Sequence, residues 1–266
     1  MSGKDGAFGN DVPAPDDLMR TMAKTEELIR MLRDEAKYKP HLASELGVSK
    51  STVYNWATEL IEYDIVRRTD EGYELTALGE QLFEFYHCVT RVTTQLYDMQ
   101  TFLEALPNHH HPPLSTLADA DIVDESDHPY APFERVVDWV KDAEHVVGTP
   151  AIMSTEKLEA LAPKFRSNEM SADVVLERKD VELMRRHVPD TLDAILGNAT
   201  VYETEREIPV RLYITESLSP SVGIATLTDN RQISMFVQLR GDEAVEWGFE
   251  LYEEFRKDAT RIETFR

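Results

Sequence analysis

The chain has 266 residues, 42% of them hydrophobic, which is enough for two domains that each bury a core. Its longest apolar runs fall short of the roughly 18 residues that a membrane helix needs. The single cysteine, Cys88, excludes an internal disulfide and a metal site built from several cysteines. Residues 1–16 are polar and acidic, unlike a secretion signal, so we expect a disordered tail in a cytoplasmic protein without membrane contact.

The formal net charge of −22 is opposite to the charge expected of a DNA-binding protein. Acidic residues are spread along the whole chain, a pattern typical of proteins from extreme halophiles. In such cells molar salt shortens the Debye length to about 3 Å, so surface carboxylates repel one another only weakly. Two other interpretations stay open, namely an acidic protein that binds basic partners and a mimic of DNA.

A helix-turn-helix is predicted near the N-terminus. Asp17 to Lys37 carries apolar residues at helical spacing and predicts a first helix. The segment from His41 to Leu60, HLASELGVSKSTVYNWATEL, then predicts two short helices. Gly47 suits a left-handed exit from the first of them, and Ser49 suits the N-cap of the second.

Two short β-like runs, Ile65 to Thr69 and Tyr73 to Thr76, follow around Asp70 to Gly72 and predict a hairpin, the wing of a winged helix-turn-helix domain over residues 17–76. The polar outer face of the second helix suits base edges, and the flanking cations suit phosphates. An ordinary helical hairpin is the alternative. The candidate DNA contacts are Lys37, Lys39, His41, Ser49, Lys50, Ser51, Thr52, Tyr54, Asn55, Arg67 and Arg68.

A long helix is predicted over residues 77–106, beginning after Thr76 as N-cap and ending before Pro107. Its apolar residues recur at alternating steps of four and three, the heptad pattern of a coiled coil, and predict a homodimer. The alternative is a helix that packs on its own domain. Cys88 lies beside this seam and is interpreted as a small packed hydrophobe, with a redox-active thiol as the alternative. The seam consists of Leu78, Leu82, Phe85, Val89, Val92, Leu96, Met99 and Leu103.

Residues 107–131 are proline-rich, show little periodicity and are predicted to form a linker or a draped loop. His109, His110 and His111 resemble a metal-binding tract. Three consecutive side chains cannot all point at one ion, and no cysteine cluster accompanies them. We therefore predict neither a metal site nor a cofactor.

The pattern over residues 132–266 changes to alternating strands and helices and predicts an α/β domain with a mixed sheet. One predicted helix begins near Pro132. The other predicted helices are Glu156–Phe165, Asp180–His187, Thr191–Leu196 and Asp242–Arg261. The predicted strands are His145–Thr149, Ala172–Leu176, Ala199–Glu203, Val210–Thr215, Val222–Leu227 and Ile233–Gln238.

Four segments, STLADADIV, HPYAPFERV, AEHVVGTPAI and AVEWGFELYEEFRKDA, resemble the middle-to-C-terminal domain of the archaeal Fil-type methanogenesis-regulator family, which is common among haloarchaea. The resemblance implies a transcriptional regulator in which an effector-sensing domain follows a winged helix. The βαβ layout also resembles the phospholipase D-like fold of archaeal sugar-sensing regulators. The chain lacks the His-x-Lys-x(4)-Asp signature of the hydrolytic members, so their chemistry is not expected.

Small molecules bind α/β domains at strand ends where the strand order reverses. The residues near such ends are Thr149, Ser154, Arg178, Arg211 and Tyr213. Arg211, flanked by Val210 and Leu212, is the first candidate to bind a phosphate or a carboxylate. A structural salt bridge and an exposed strand face are the alternatives for this arginine.

Nucleophile, phosphate-loop and dinucleotide motifs are absent from the sequence, so we do not predict an enzyme. We predict a dimeric, sequence-specific regulator that binds double-stranded DNA and whose C-terminal domain senses a small metabolite such as a sugar or sugar phosphate. The alternative is a protein-interaction module in which the winged helix docks a protein partner.

Overall fold

The computed structural model describes residues 14–107, 109–126, 128–150, 162–215 and 219–263. The chain divides into two compact units, Met1–Arg91 and Val92–Arg266. Across the described ranges, no helix is both long and apolar enough to cross a membrane.

The first unit consists of helices and one hairpin. Its elements are α1 (Pro15–Met31), α2 (Lys39–Glu45), α3 (Lys50–Glu62), β1 (Val66–Thr69), β2 (Gly72–Leu75) and the first part of α4 (Ala77–Asp98). Helix α1 ends before the predicted Lys37, because the backbone of Lys37 pairs with Tyr73 through hydrogen bonds of 2.9 and 3.0 Å. This pairing holds the hairpin against the segment that enters α2.

The turn between α2 and α3 has the predicted chemistry. Gly47 adopts a left-handed φ of 64°, and the Val48 amide donates to the Ala43 carbonyl at 3.1 Å, which closes the end of α2. The hydroxyl of Ser49 accepts from the Thr52 amide at 3.0 Å, so Ser49 is the N-cap of α3. Apolar side chains of α1, α2, α3 and α4 bury one shared core, which includes Leu28, Leu42, Val53, Leu60 and Phe83.

Helix α4 begins as predicted, with the Thr76 hydroxyl accepting from the Gly79 amide at 2.9 Å. It ends at Asp98, because the chain turns at Met99 before α5 (Gln100–Ala105). Met99 is fully buried in the core of the second unit, so the predicted seam is not one continuous outer stripe. Leu96 and Leu103 pack against that same core, Leu82 packs against the core of the first unit, and Val89 and Val92 are half-buried.

Leu78 and Phe85 are the seam residues that stay exposed. Cys88 is also exposed, so its interpretation as a packed hydrophobe is wrong. The apolar residues of the heptad pattern are thus divided between two intramolecular cores and the outer surface of α4.

The second unit contains a large mixed sheet. Its helices after α5 are α6 (Leu114–Leu117), α7 (Ala131–Lys141), α8 (Arg178–His187), α9 (Pro189–Leu196) and α10 (Asp242–Arg256). Its strands are β3 (Asp121–Asp124), β4 (His145–Gly148), β5 (Ser171–Glu177), β6 (Ala199–Thr204), β7 (Val210–Thr215), β8 (Ser221–Leu227), β9 (Ile233–Arg240) and β10 (Thr260–Arg261). Residues 162–166 are also helical, while the first part of the predicted helix Glu156–Phe165 lies outside the described residues.

The eight strands are ordered β10-β6-β5-β4-β7-β8-β9-β3. Strands β4, β5 and β6 run parallel to one another, and every other pairing is antiparallel. Side chains alternate between the two faces of the sheet, each of which is covered by helices. One face packs against α5 and α10, and the other packs against α7, α8 and α9.

Two expectations about this unit need correction. The predicted linker over residues 107–131 contains α6 and β3, and β3 pairs with β9 from Asp121↔Gln238 to Asp124↔Met235. The terminal helix ends at Arg256, because the next residues turn back and Thr260 pairs with Glu203 of β6. In both places, backbone pairing to the sheet overrides the local sequence pattern.

Candidate nucleic-acid interface and buried ionic cluster

A groove of about 430 Å³ lies on the first unit beside the N-terminus of α2, the middle of α3 and the hairpin. Three predicted DNA contacts, Lys39, Tyr54 and Arg68, come together in it although they are far apart in sequence. The full lining is Tyr38, Lys39, Pro40, Tyr54, Arg68, Thr69, Asp70, Gly72 and Tyr73. The groove therefore joins the predicted recognition helix to the wing.

Two exposed tyrosines flank the groove. The ammonium group of Lys39 lies 5.2 Å from the ring centroid of Tyr54, within range of a cation–π contact. Tyr38, which is not among the predicted contacts, donates its hydroxyl to the Asp70 carbonyl at 2.9 Å and connects α2 to the hairpin. An aromatic residue between two lysines, Lys37 and Lys39, is the sequence signal that could have identified it.

The predicted basic contacts fall into two groups. Lys37 lies 3.4 Å from Glu45 and 3.8 Å from Glu35, and the Arg67 Nε lies 2.6 Å from Glu74 across the hairpin. These two cations are already matched by carboxylates. Lys39, Lys50 and Arg68 make no ion pair with any residue in the described part of the chain; Lys50 and Arg68 are exposed, and Lys39 is half-buried beside the Tyr54 ring.

The polar residues at the start of α3 also differ in role. The Ser49 hydroxyl caps the helix and lies 2.7 Å from the Ser51 hydroxyl and 2.8 Å from the Thr52 hydroxyl. Lys50, Tyr54 and Asn55 are exposed on the outer side of the helix, and His41 is exposed on α2. The N-terminal half of α3 thus presents an ammonium, a phenol and an amide to solvent.

Two family models match the chain. Residues 16–96 match the HVO_A0261 N-terminal domain, and residues 129–258 match the middle domain of the methanogenesis regulatory protein FilR1. The chain is therefore an archaeal transcriptional regulator with a FilR1-type middle domain. In this FilR1-type regulator the groove lies within the N-terminal match, and most of the sheet lies within the FilR1 middle domain. No curated protein sequence matches the chain.

Solved structures similar to this FilR1-type regulator are distant. The archaeal chromatin protein TrmBL2 is 11% identical with a TM-score of 0.41, over 94% of this chain and 100% of that one. NucT from Helicobacter pylori is 7% identical with a TM-score of 0.38, over 54% and 99% of the two chains. The O-methyltransferase NcsB1 from neocarzinostatin biosynthesis is 15% identical with a TM-score of 0.28, over 77% and 70%. At these scores the likenesses define neither the fold nor the function.

Inside the FilR1 middle domain, Arg211 is only 2% exposed and belongs to a buried ionic cluster. Its Nη2 lies 3.0 Å from the Glu177 carboxylate and 3.7 Å from that of Asp180. Arg231, at the turn between β8 and β9, lies 3.2 Å from Glu177 and 2.8 Å from Asp180. The Lys179 ammonium lies 2.5 Å from Glu177, so two carboxylates face two guanidinium groups and one ammonium group. The Arg211 Nε is buried and makes no hydrogen bond within the described residues.

The two carboxyl groups of this cluster have opposite pKa shifts. Burial alone would raise the pKa of Glu177, but hydrogen bonds from Lys179 and Arg211 hold it at about 2. Burial raises the pKa of Asp180, and this effect outweighs the nearby charges of Arg231 and Arg211. Glu177 is thus the firmly ionised partner of both arginines.

The other predicted ligand residues occupy different positions. Thr149 is fully buried, and its hydroxyl accepts from the Leu212 amide at 2.9 Å and donates to the Val210 carbonyl at 3.2 Å. Tyr213 is buried with its ring 6.2 Å from that of Trp139. Arg178 is exposed and lies 3.0 Å from Glu203, and Ser154 lies outside the described residues. The structure brings Thr149 and Arg211 to the junction of β4 and β7, where strand order reverses.

Proposed function

We propose that this regulator binds double-stranded DNA through the first unit, with the N-terminal half of α3 in the major groove and the hairpin over the adjacent backbone. The observation that carries the proposal is the convergence of Lys39, Tyr54 and Arg68 on one groove of an archaeal transcriptional regulator. Lys50 and Arg68 are positioned to contact phosphates, and Tyr54 and Asn55 to contact bases. In this proposal the phosphate contacts supply most of the affinity, and the base contacts of α3 supply the sequence preference.

The net charge of −22 is compatible with DNA binding if the protein works in a salt-rich cell. Counterion release, the main source of nonspecific affinity, weakens as salt concentration rises. Direct hydrogen bonds and apolar contacts must then supply a larger share of the binding free energy. The exposed Tyr54, 51% accessible beside Asn55, suits that requirement.

The regulator functions as a homodimer in this proposal, because winged-helix proteins commonly read two half-sites related by two-fold symmetry. The second unit of the regulator responds, in the same proposal, to a small metabolite such as a sugar or sugar phosphate. Support comes from the junction of β4 and β7, where ligands bind α/β sheets, and from the unpaired Arg211 Nε beside it. The phospholipase D-like layout belongs to the same proposal.

Fluorescence anisotropy with a labelled fragment of the chain's own promoter, in molar potassium chloride, tests DNA binding. We expect the double variant Asn55→Ala with Arg68→Ala to weaken binding by at least about tenfold, the effect of removing one base contact of about 1–3 kcal/mol and one phosphate contact. The matched control is Arg67→Ala, whose guanidinium is paired with Glu74 and whose loss should change affinity less. A scrambled fragment measures sequence preference.

Equal affinity of the double variant and the wild type would overturn the assigned contacts. Failure of the wild type to prefer its promoter over the scrambled fragment would refute sequence-specific binding. That result would favour the alternative, in which the winged helix docks a protein.

A further inference from the structure

The two sides of α4 differ sharply within the first unit. Gly79 and Phe83 face the core, where Phe83 is 2% exposed and a Cβ on Gly79 would lie 2.1 Å from the Ile65 carbonyl oxygen. The opposite side carries Leu78, which is 51% exposed, and Phe85, which is 59% exposed. Single exposed apolar side chains are ordinary, but two of them one heptad apart on one helix face are typical of helix pairing.

The outer stripe of α4 is defined here by Leu78, Gln81, Phe85 and Cys88, all of which are exposed. Their steps of three, four and three residues correspond to alternating a and d positions of a coiled coil. Glu84 and Arg91 lie one heptad apart along one edge of this stripe. The stripe therefore combines apolar knobs with two opposite charges on the same edge.

We propose that the outer stripe packs against the same stripe of a second copy, with the two α4 helices antiparallel and the two-fold axis between Phe85 and Cys88. In this register Phe85 faces the small Cys88 of the second copy. Along the edge, Glu84 faces Arg91 of the second copy, and the symmetry repeats both contacts. The interface is self-complementary, as a two-fold interface must be.

A parallel pair fits the same residues less well. In a parallel pair, Phe85 faces Phe85 of the second copy. The edge with Glu84 and Arg91 then faces the opposite edge of the second helix, which carries the apolar Leu82 and Val89. Glu84 also contacts Arg33 of its own chain, with both side chains half exposed, and a carboxylate can accept from two guanidinium groups. Charge complementarity therefore favours the antiparallel arrangement.

The antiparallel register makes a geometric prediction about Cys88. A three-residue offset at 1.5 Å per residue, Cα atoms about 2.3 Å from each helix axis and axes 8–10 Å apart place the two Cys88 Cα atoms roughly 6–8 Å apart. A disulfide needs a Cα separation of about 4.4–6.8 Å, with most near 5.5–6 Å. A short bis-maleimide should therefore join two Cys88 side chains readily, whereas mild oxidation should join them slowly.

Crosslinking of the full chain in molar potassium chloride is the first test, with Cys88→Ser as the control that must stay uncrosslinked. The double variant Phe85→Cys with Cys88→Ser, mixed with the wild type, should form a mixed disulfide on oxidation. Each protein alone should form its own disulfide much more slowly than this mixed one. A Cys88 disulfide that forms faster in the wild type than the mixed disulfide would instead establish a parallel pair and overturn the proposal.

A charge swap is the second test, read by sedimentation equilibrium at the lowest salt concentration that keeps the chain folded, because salt screens exposed charges. Glu84→Arg alone and Arg91→Glu alone should each raise the dimer Kd several-fold, and the double swap should restore it. The matched control is Glu80→Arg, the same change of charge one helical turn before Glu84, at a position with no proposed contact to the second copy. A monomer at all concentrations, or singles that match the control, would refute the interface.

This inference deepens the dimer part of the proposed function, yet neither test contains DNA. A dimer that passes both tests and fails to bind promoter DNA would refute only the DNA-binding proposal. A protein that binds promoter DNA and fails both tests would refute only this interface.

Discussion

Arg211 illustrates what pairing does to a buried charge. Its guanidinium is nearly inaccessible, and removing it from water without a partner would cost several kcal/mol. Glu177 and Asp180 supply the opposite charge, and Arg231 balances the second carboxylate. A ligand that reaches Arg211 must compete with these carboxylates, which favours a neutral polar group over a tightly held anion.

Glu177→Gln tests this cluster through pH. A carboxyl group whose folded pKa lies below its ordinary value stabilises the folded state above that ordinary value, and the contribution is lost as pH falls from 4.5 toward about 2. Chemical denaturation should show that Glu177→Gln lowers the free energy of unfolding at pH 7 by about 3 kcal/mol. The difference from the wild type should shrink as pH falls through that range.

Asp180→Asn is the matched control for the pH experiment. The raised pKa of Asp180 means that its contribution to stability decreases as pH rises above its ordinary value of 3.8, opposite in sign to Glu177. The Asp180→Asn difference should therefore change with pH in the opposite direction. Parallel pH profiles of the two variants would show that the carboxylates do not divide the charge as described.

The hairpin shows how an element is held in place by backbone geometry. Gly72 adopts a φ of 119°, and a Cβ there would lie 2.4 Å from the Lys37 carbonyl oxygen. That carbonyl also accepts from the Tyr73 amide at 3.0 Å, so the contact and the hydrogen bond position the hairpin together. Arg68 and Tyr38 share the groove beside it, and their separation depends on this joint.

We expect Gly72→Ala to lower the free energy of unfolding of the first unit by about 3 kcal/mol, because strain at positive φ adds to a backbone clash. It should also weaken promoter binding. The matched control is Gly47→Ala, which has a φ of 64° but open space around its Cβ and should cost about 1 kcal/mol. Chemical denaturation followed by a probe in the first unit distinguishes the two variants. Equal decreases in the free energy of unfolding would contradict the proposed clash with the Lys37 carbonyl oxygen.

At the scale of the whole molecule, 50 acidic residues against 28 basic ones make self-repulsion a general term in stability. Many ion pairs lie at the surface, where each contributes about 0–1 kcal/mol and is weakened by salt. Salt therefore weakens both the repulsion among the carboxylates, which destabilises the fold, and the attraction within ion pairs, which stabilises it. With a net charge of −22, relief of repulsion should exceed the loss of individual ion pairs.

We expect the thermal midpoint to rise by several degrees between 0.1 M and 2 M potassium chloride, since about 1 kcal/mol corresponds to roughly 2–4 °C for a chain of this size. Circular dichroism at 222 nm measures it, and sucrose at matched osmolality is the control for solvent exclusion. A midpoint that falls with salt would show that ion pairs outweigh repulsion and would contradict the halophilic interpretation.

Elements with strong periodicity were predictable from the sequence, because burial of one or both faces of a helix or strand fixes the spacing of its apolar residues. Strand β7, Val210–Thr215, has the predicted bounds, and Ser49 caps α3 as its hydroxyl suggests. The turn at Met99 was not predictable, since the heptad spacing continues through it. Only the core of the second unit determines that Met99 turns inward.

Non-local pairing explains the remaining differences. Strand β3 is four residues long and bounded by aspartates, and its partner on β9 is more than one hundred residues away. In the candidate DNA interface, the type and position of Lys39, Tyr54 and Arg68 were predictable. The neutralisation of Lys37 and Arg67 was not, because it depends on which carboxylates the fold brings beside them.

The two outermost strands of the sheet have a practical consequence. The FilR1 middle-domain match covers residues 129–258, whereas β3 ends at Asp124 and β10 begins at Thr260. A fragment cut at the limits of that match would lose both and leave β9 and β6 as bare edges. Open edges of this kind invite intermolecular β-pairing. We therefore expect a fragment of residues 129–258 to aggregate more readily than a fragment that keeps β3 and β10, as light scattering of the two would measure.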